Sequence, residues 1–218
     1  MLEPTIKPYE YSYITQQVTT LVSAYLTLND QRMRQITLAT TLERIIPLLP
    51  DQDPLAREFL QGLQALPPKR QAALDLLQTL QPLVIPFAQL TPKQLSKLFR
   101  KVKKLPQPNW AALNLHELTY LGWNDGGNQK KYLVAPWEDR LIGIQGDFAP
   151  QTVKGVCAIC HTIGNVSLFT AITKRNGVTG YTRQGNYICR DSAQCNRQLT
   201  DPQRLQDFLT VVRPSKGR

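Results

Sequence analysis

Along the first half of the chain, apolar residues return every three or four positions. Ile14, Val18, Leu21, Val22 and Tyr25 fall at i, i+4, i+7, which sets them on one face of a helix ending near Asn29-Asp30. Met33, Ile36, Leu42, Ile45 and Ile46 form a looser second stripe, stopped by Pro47 and Pro50. Asp53-Pro54 predicts a helix start, because the carboxylate caps free amides and proline fits the first helical position. Leu55, Phe59, Leu63 and Leu66 follow on one face until Pro67-Pro68. Leu74, Leu77 and Leu80 predict a fourth helix, broken by Pro82 and Pro86. Thr91-Pro92 repeats the cap-and-proline start ahead of Leu95, Leu98, Phe99 and Val102. Short proline-marked connections make neighbouring helices antiparallel, so residues 1–105 are expected to form a helical bundle with these stripes as its core.

After Pro106 the pattern changes to glycine, aromatic and β-branched residues. Tyr120 to Trp123 and Lys131 to Val134 flank Asn124-Asp125-Gly126-Gly127-Asn128, a hairpin signal because such residues tolerate positive φ. Leu141 to Ile144 is a third expected strand and Val166 to Ile172 a fourth. An Asn176-Gly177 turn then leads into Thr179 to Arg183. Leu205, Phe208, Leu209 and Val212 give a closing helix begun by Asp201-Pro202. Residues 106–218 are therefore expected to be an α+β domain, with Phe148 and Phe169 in its core.

Composition narrows the function class. At 218 residues and 42% hydrophobic, the chain is long and apolar enough for folded domains. It has no apolar run long enough to span a bilayer, and Met1-Leu2-Glu3-Pro4 does not open a secretory signal. A cytoplasmic protein with reduced thiols and no membrane partner is expected. Lys and Arg outnumber Asp and Glu by 26 to 16, a net charge of +10, which points to an acidic partner. Divided at residue 105, each half carries 13 basic and 8 acidic side chains. The basic run Lys97, Arg100, Lys101, Lys103 and Lys104 reads either as a solvated helix end or as an acidic docking surface.

The chemistry lies in the cysteines. Cys157-Ala-Ile-Cys160 is followed by Cys189 and then Cys195. A CxxC turn brings two thiolates to one side of a tight loop, both within reach of a metal at about 2.3 Å. The strands and turn between the pairs return the chain to its start, and Arg190-Asp191-Ser192 opens a helix that puts Cys195 in or near the first turn. Knuckle, hairpin and helix are the layout of a treble clef, so the expected fold class is α + (α+β), with a treble-clef-like four-cysteine zinc finger in the second part. Four soft thiolates suit one structural Zn²⁺. The C-x5-C spacing is wide, so a set in which His161 replaces one sulfur stays open, as do metal-free cysteines. A redox CxxC normally opens a helix after a strand, whereas here a strand follows. A site filled by sulfur has no place for a reacting water, His116 beside Glu117 reads as an ordinary polar pair, and no phosphate-loop or nucleophile motif is present. No enzyme is expected.

The residues also carry a family resemblance. A helical first half, Trp123-Asn124-Asp125-Gly126, Lys154 to His161, Gly185 to Ser192 and Cys195-Asn196 together resemble the FusB-type elongation factor G-binding family, two-domain bacterial proteins associated with fusidic acid resistance. The resemblance implies Cys157, Cys160, Cys189 and Cys195 as metal ligands, elongation factor G as partner, and release of that factor from drug-stalled ribosomes. The ribosome is then reached through the factor, and a monomer is expected. Physical reasoning supplies candidate contacts: Lys154, Lys174, Arg175, Tyr181, Arg183 and Arg190, with Arg197 near the metal loops. Aromatic and arginine side chains anchor interfaces, and cations suit an acidic partner. The alternative is a zinc-dependent RNA-binding module, against which stand the even sharing of basic residues between the halves and the lack of a dense base-reading helix.

Overall fold

In a computed structural model, residues 3–27, 29–176 and 180–214 are described, with the side chains of Arg175 and Asn176 outside that set. Each stretch of helical periodicity in the first part becomes a helix: α1 (Pro8–Thr27), α2 (Gln31–Ile45), α3 (Pro54–Gln64) and α4 (Arg70–Gln78). The stripe on α1 is buried as expected, with Ile14, Val18 and Leu21 fully inaccessible. Asp53 caps α3 by accepting from the Leu55 and Ala56 amides, with Pro54 at its first position. The second stripe is only half a core face. Met33 and Ile36 are exposed, while Thr41 and Ile45 are buried. On α4, Leu74 faces solvent and Ala73 takes its place in the core. Tyr11 donates its hydroxyl to the Leu77 carbonyl at 3.1 Å, tying α1 to α4. The entering strand residue Ile6 bridges Val84 in parallel and closes this unit.

The chain divides into compact units at residues 1–86 and 87–218, not at the expected 105/106. The fifth helix, α5 (Pro92–Leu98), keeps its predicted start, with a complete capping box between Thr91 and Gln94. It packs not in the bundle but on the sheet of the second unit. Its Leu95 and Phe99 share a core with Leu118, Leu121, Tyr132 and Val134. The misplacement has a simple cause: a one-sided apolar stripe shows which face is buried but not whether helices or a sheet bury it.

The second unit is built on an antiparallel sheet. Its strands are β1 (Leu121–Asp125), β2 (Lys130–Trp137), β3 (Arg140–Phe148), β4 (Val153–Val156), β5 (Ile163–Asn176) and β6 (Gly180–Cys189), followed by α6 (Ser192–Gln198) and α7 (Pro202–Val212). β1, β2 and β3 form a meander, with Trp123 opposite Tyr132 and Leu133 opposite Ile144. One edge of the long β5 is shared between β3 and β4, and its other edge is taken by β6. The predicted closing helix is α7, with Leu205, Phe208, Leu209 and Val212 all buried. Phe148 and Phe169 are core residues, and Phe169 lies 6.0 Å from Phe208 between ring centres. The sequence reading missed β4, whose pattern is short and exposed, and stopped β6 too early, at Arg183. The Asn176-Gly177 turn and Thr179 lie outside the described residues.

α5 reaches the sheet where glycine removes a side chain. A Cβ on Gly143 would lie 2.9 Å from the Leu98 Cβ and 3.1 Å from the Leu98 carbonyl oxygen. Behind this contact Phe99 meets Trp123 and Tyr132 edge-on, at 5.7 and 5.4 Å between ring centres. The Trp123 indole donates to the Pro106 carbonyl at 2.9 Å, so the chain segment after α5 is pinned to the same surface.

Candidate metal centre

The last residues of β4 lead into the knuckle. Cys157 donates its amide to Thr162 and its carbonyl accepts from His161, at 3.1 and 2.9 Å, which closes a tight loop around Ala158 and Ile159. His161 takes the left-handed backbone, φ 56°, to complete the turn. From the far side, β6 runs beside β5 and brings Cys189 opposite Val166. Asp191 then caps α6 by accepting from the Ala193 and Gln194 amides, and the fourth residue of that helix is Cys195. The wide C-x5-C spacing thus follows from placing one ligand at a strand end and the other inside a helix. α6 sits close because Gly122 has no side chain: a Cβ there would be 2.4 Å from the Ser192 hydroxyl.

All four sulfurs are buried and lie within 4.8 Å of one another. The Cys157–Cys195 and Cys160–Cys189 separations are both 3.7 Å. A tetrahedron with a metal–sulfur radius of about 2.3 Å has edges of about 3.8 Å, so the donor set fits Zn²⁺ in chemistry and in size. His161 is exposed, and the group of potential ligands consists of the four cysteines alone among the described residues. Four sulfur donors are the ligand count of a closed tetrahedral site.

Electrostatics also favour a cation here. Hydrogen bonds from Cys160, Cys189 and Cys195 hold the Cys157 thiol far below the usual range. Its sulfur also accepts the amides of Ile159 and Cys189, each at 3.3 Å. The same coupling to Cys157 pushes the Cys189 and Cys195 thiols up, since like charges this close disfavour one another and a positive ion among them would relieve that repulsion.

Two buried polar residues surround the cluster that no sequence pattern revealed. Lys131, fully inaccessible on β2, donates to the Asn124 side chain at 2.9 Å and to the Arg190 carbonyl at 3.1 Å, with its ammonium 4.7 Å from the Phe148 ring centre. Burial pushes its pKa down to about 8, opposed by attraction to Cys195, Asp191 and Cys189. Asn196, next to a ligand, accepts from the Thr119 and Tyr120 amides and donates to the carbonyls of Tyr120 and Ser192. The first follows another lysine at the start of a strand whose positions 131 to 135 are all buried, and the second is a common polar type beside a cysteine. Their roles arise only from what folds over them.

The six proposed contact residues fall in two places. Lys154 on β4 pairs with Asn165, whose carbonyl accepts the Arg190 amide, so Lys154 and Arg190 flank one point near the knuckle. The Arg190 guanidinium donates to the carbonyls of Ala149 and Pro150. Lys174, Tyr181 and Arg183 lie along β5 and β6 and are exposed. Arg183 pairs with Asp147 and lies over the Tyr181 ring at 5.1 Å. The Arg175 side chain is outside the described residues. Arg197 faces Glu117 across 3.6 Å.

Fold and site together define a two-part protein: a helical unit followed by a sheet unit carrying a treble-clef, four-cysteine metal centre. Residues 5–88 match the family described as elongation factor G-binding protein, N-terminal, and residues 94–211 match the FBP C-terminal treble-clef zinc-finger. The chain belongs to the FusB-type elongation factor G-binding family. The solved structure of the fusidic acid resistance protein FusC is similar over 96% of this chain and 98% of that one, at 33% identity and a TM-score of 0.87. Among curated proteins, none matches.

Proposed function

We propose that this chain is a translation accessory protein without catalytic activity of its own. It binds elongation factor G through residues 87–218 and promotes release of the factor from ribosomes, those stalled by fusidic acid included. The observation that carries the reading is the likeness to FusC along nearly the whole of both chains, in a family named for binding the factor. It acts as a monomer in the cytoplasm, where ribosomes work, and its approach to the ribosome is through the factor.

Zinc, when bound, supplies charge neutralisation and a rigid tetrahedral node. The chain's own residues do the rest: the knuckle, β6 and α6 are locked together, and Lys154, Lys174, Arg175, Tyr181, Arg183 and Arg190 are offered to the partner. Side chains held in place before binding lose less entropy on association. If the protein weakens the hold of the ribosome on the factor at equilibrium, it must itself bind the free factor more tightly than the assembled complex.

The test is capture of purified elongation factor G by the intact chain, before and after complete zinc removal. Capture is expected with zinc and is expected to fall at least about tenfold without it. Equal capture after stripping would contradict the role given to the metal, and no capture in either state would contradict the partner. Activity against fusidic acid is then read as faster factor release from stalled ribosomes on adding the chain.

A further inference from the structure

The boundary at 86/87 changes the charge map. Residues 1–86 carry 7 lysines and arginines against 8 carboxylates, whereas residues 87–218 carry 19 against 8, so the second unit holds a net +11 and the first about balances. A division at 105 is even because it separates Lys93, Lys97, Arg100, Lys101, Lys103 and Lys104 from the sheet on which α5 packs.

Within the second unit that run meets another set of cations. The walls of a groove of about 1270 Å³ carry Lys97, Arg100 and Lys101 from α5 and the turn after it, Lys174 and Arg183 from β5 and β6, and Arg140 from β3. Its lining holds eight lysines and arginines and one carboxylate, Asp147, which Lys130 and Arg183 already pair. Lys97, Arg100, Lys101, Arg140 and Lys174 make no ion pair among the described residues and are exposed to solvent. The floor is different: half-buried Leu98, Val102, Leu141 and Ile142 leave apolar surface between the basic walls.

We propose that this groove docks an acidic, amphipathic segment of a protein partner, its apolar side chains on the floor and its carboxylates against the walls. The assignment of that partner as elongation factor G rests on the function proposed above. Single-stranded nucleic acid fits the groove less well, since it needs open aromatic faces for its bases. Here Phe99 is buried against Trp123 and Tyr132, and the Arg213 guanidinium lies 4.5 Å from the Trp137 ring centre. A floor of aliphatic side chains rewards burial of other aliphatic side chains, which a phosphate backbone does not carry.

The test uses the zinc-loaded full chain, the Arg100→Glu/Lys101→Glu double variant and a second pair, Lys97→Glu/Lys174→Glu. Each is checked for unchanged zinc content and melting temperature. Three probes are titrated: purified elongation factor G, a synthetic peptide helix with glutamates on one face and leucines on the other, and a single-stranded oligoribonucleotide of equal charge. The wild type is expected to bind the factor and the peptide, the peptide to compete with the factor, and each variant to lose at least about tenfold in both affinities. Factor binding undiminished in both variants would overturn the groove while leaving the function standing. If the wild type does not bind the factor, the function falls, and the groove is judged on the peptide: binding lost in the variants supports it, and no binding overturns it. Tighter binding of the oligoribonucleotide than of the peptide, abolished by the same substitutions, would replace the protein partner with RNA.

Discussion

At the scale of single residues, the site depends on side chains that neutralise or satisfy what folding has buried. Zinc held by four thiolates carries a net double negative charge, and Lys131 places an ammonium close by without access to water. Lys131→Met is expected to weaken zinc retention by about tenfold in chelator competition, in the range seen when groups supporting metal ligands are lost. Asn196→Ala would leave the Thr119 and Tyr120 amides without their acceptor in the interior, at a cost of about 2–3 kcal/mol in urea unfolding of the zinc-loaded protein. Asp147 gives the pH dependence. Burial raises its pKa, but hydrogen bonding and attraction from Lys130 and Arg183 outweigh this and leave it lowered. A lowered carboxylate stabilises the fold above its unfolded value and loses that contribution as pH falls through the folded value. Asp147→Asn should therefore cost about 0.5–1 kcal/mol at neutral pH, a modest figure because the pair is part-exposed, and the gap to wild type should close below about pH 4. Of these residues only the cysteines were legible in the sequence, because metal ligation leaves a spacing. A buried lysine or asparagine leaves none, since its value depends on neighbours far away in the chain.

At the scale of elements, starts were easier to read than destinations. Asp53, Thr91, Asp191 and Asp201 all cap helices where the sequence placed them, because capping is decided within three or four residues. What α5 packs against is decided by Gly143, in a strand more than forty residues on, where close approach needs a missing side chain. Gly143→Val should push α5 from the sheet and destabilise the second unit by at least about 2 kcal/mol, seen as a lower denaturant midpoint. Truncation gives a sharper check on the boundary. Residues 87–218 are expected to express as a folded, zinc-binding fragment, whereas residues 106–218 would expose Leu118, Leu121, Tyr132 and Val134 and aggregate. Equal solubility and melting of the two fragments would show that α5 is not part of that unit.

At the scale of the whole molecule, each unit has its own core, and the four-cysteine cluster lies in the second. Zinc removal should therefore lower the melting temperature of the second unit while the helical circular dichroism of residues 1–86 survives. A single transition shifted as a whole would contradict that independence. The sequence by itself determined the helical periodicity, the caps, the treble-clef cysteine set and the excess of positive charge, all properties of local spacing or of plain counting. Tertiary structure alone decided which unit owns α5, and with it where the charge collects, because burial of an apolar face is satisfied equally by helix or sheet. It also decided that Lys131 and Asn196 enclose the metal centre, since low dielectric and unpaired donors exist only once distant segments have closed around them.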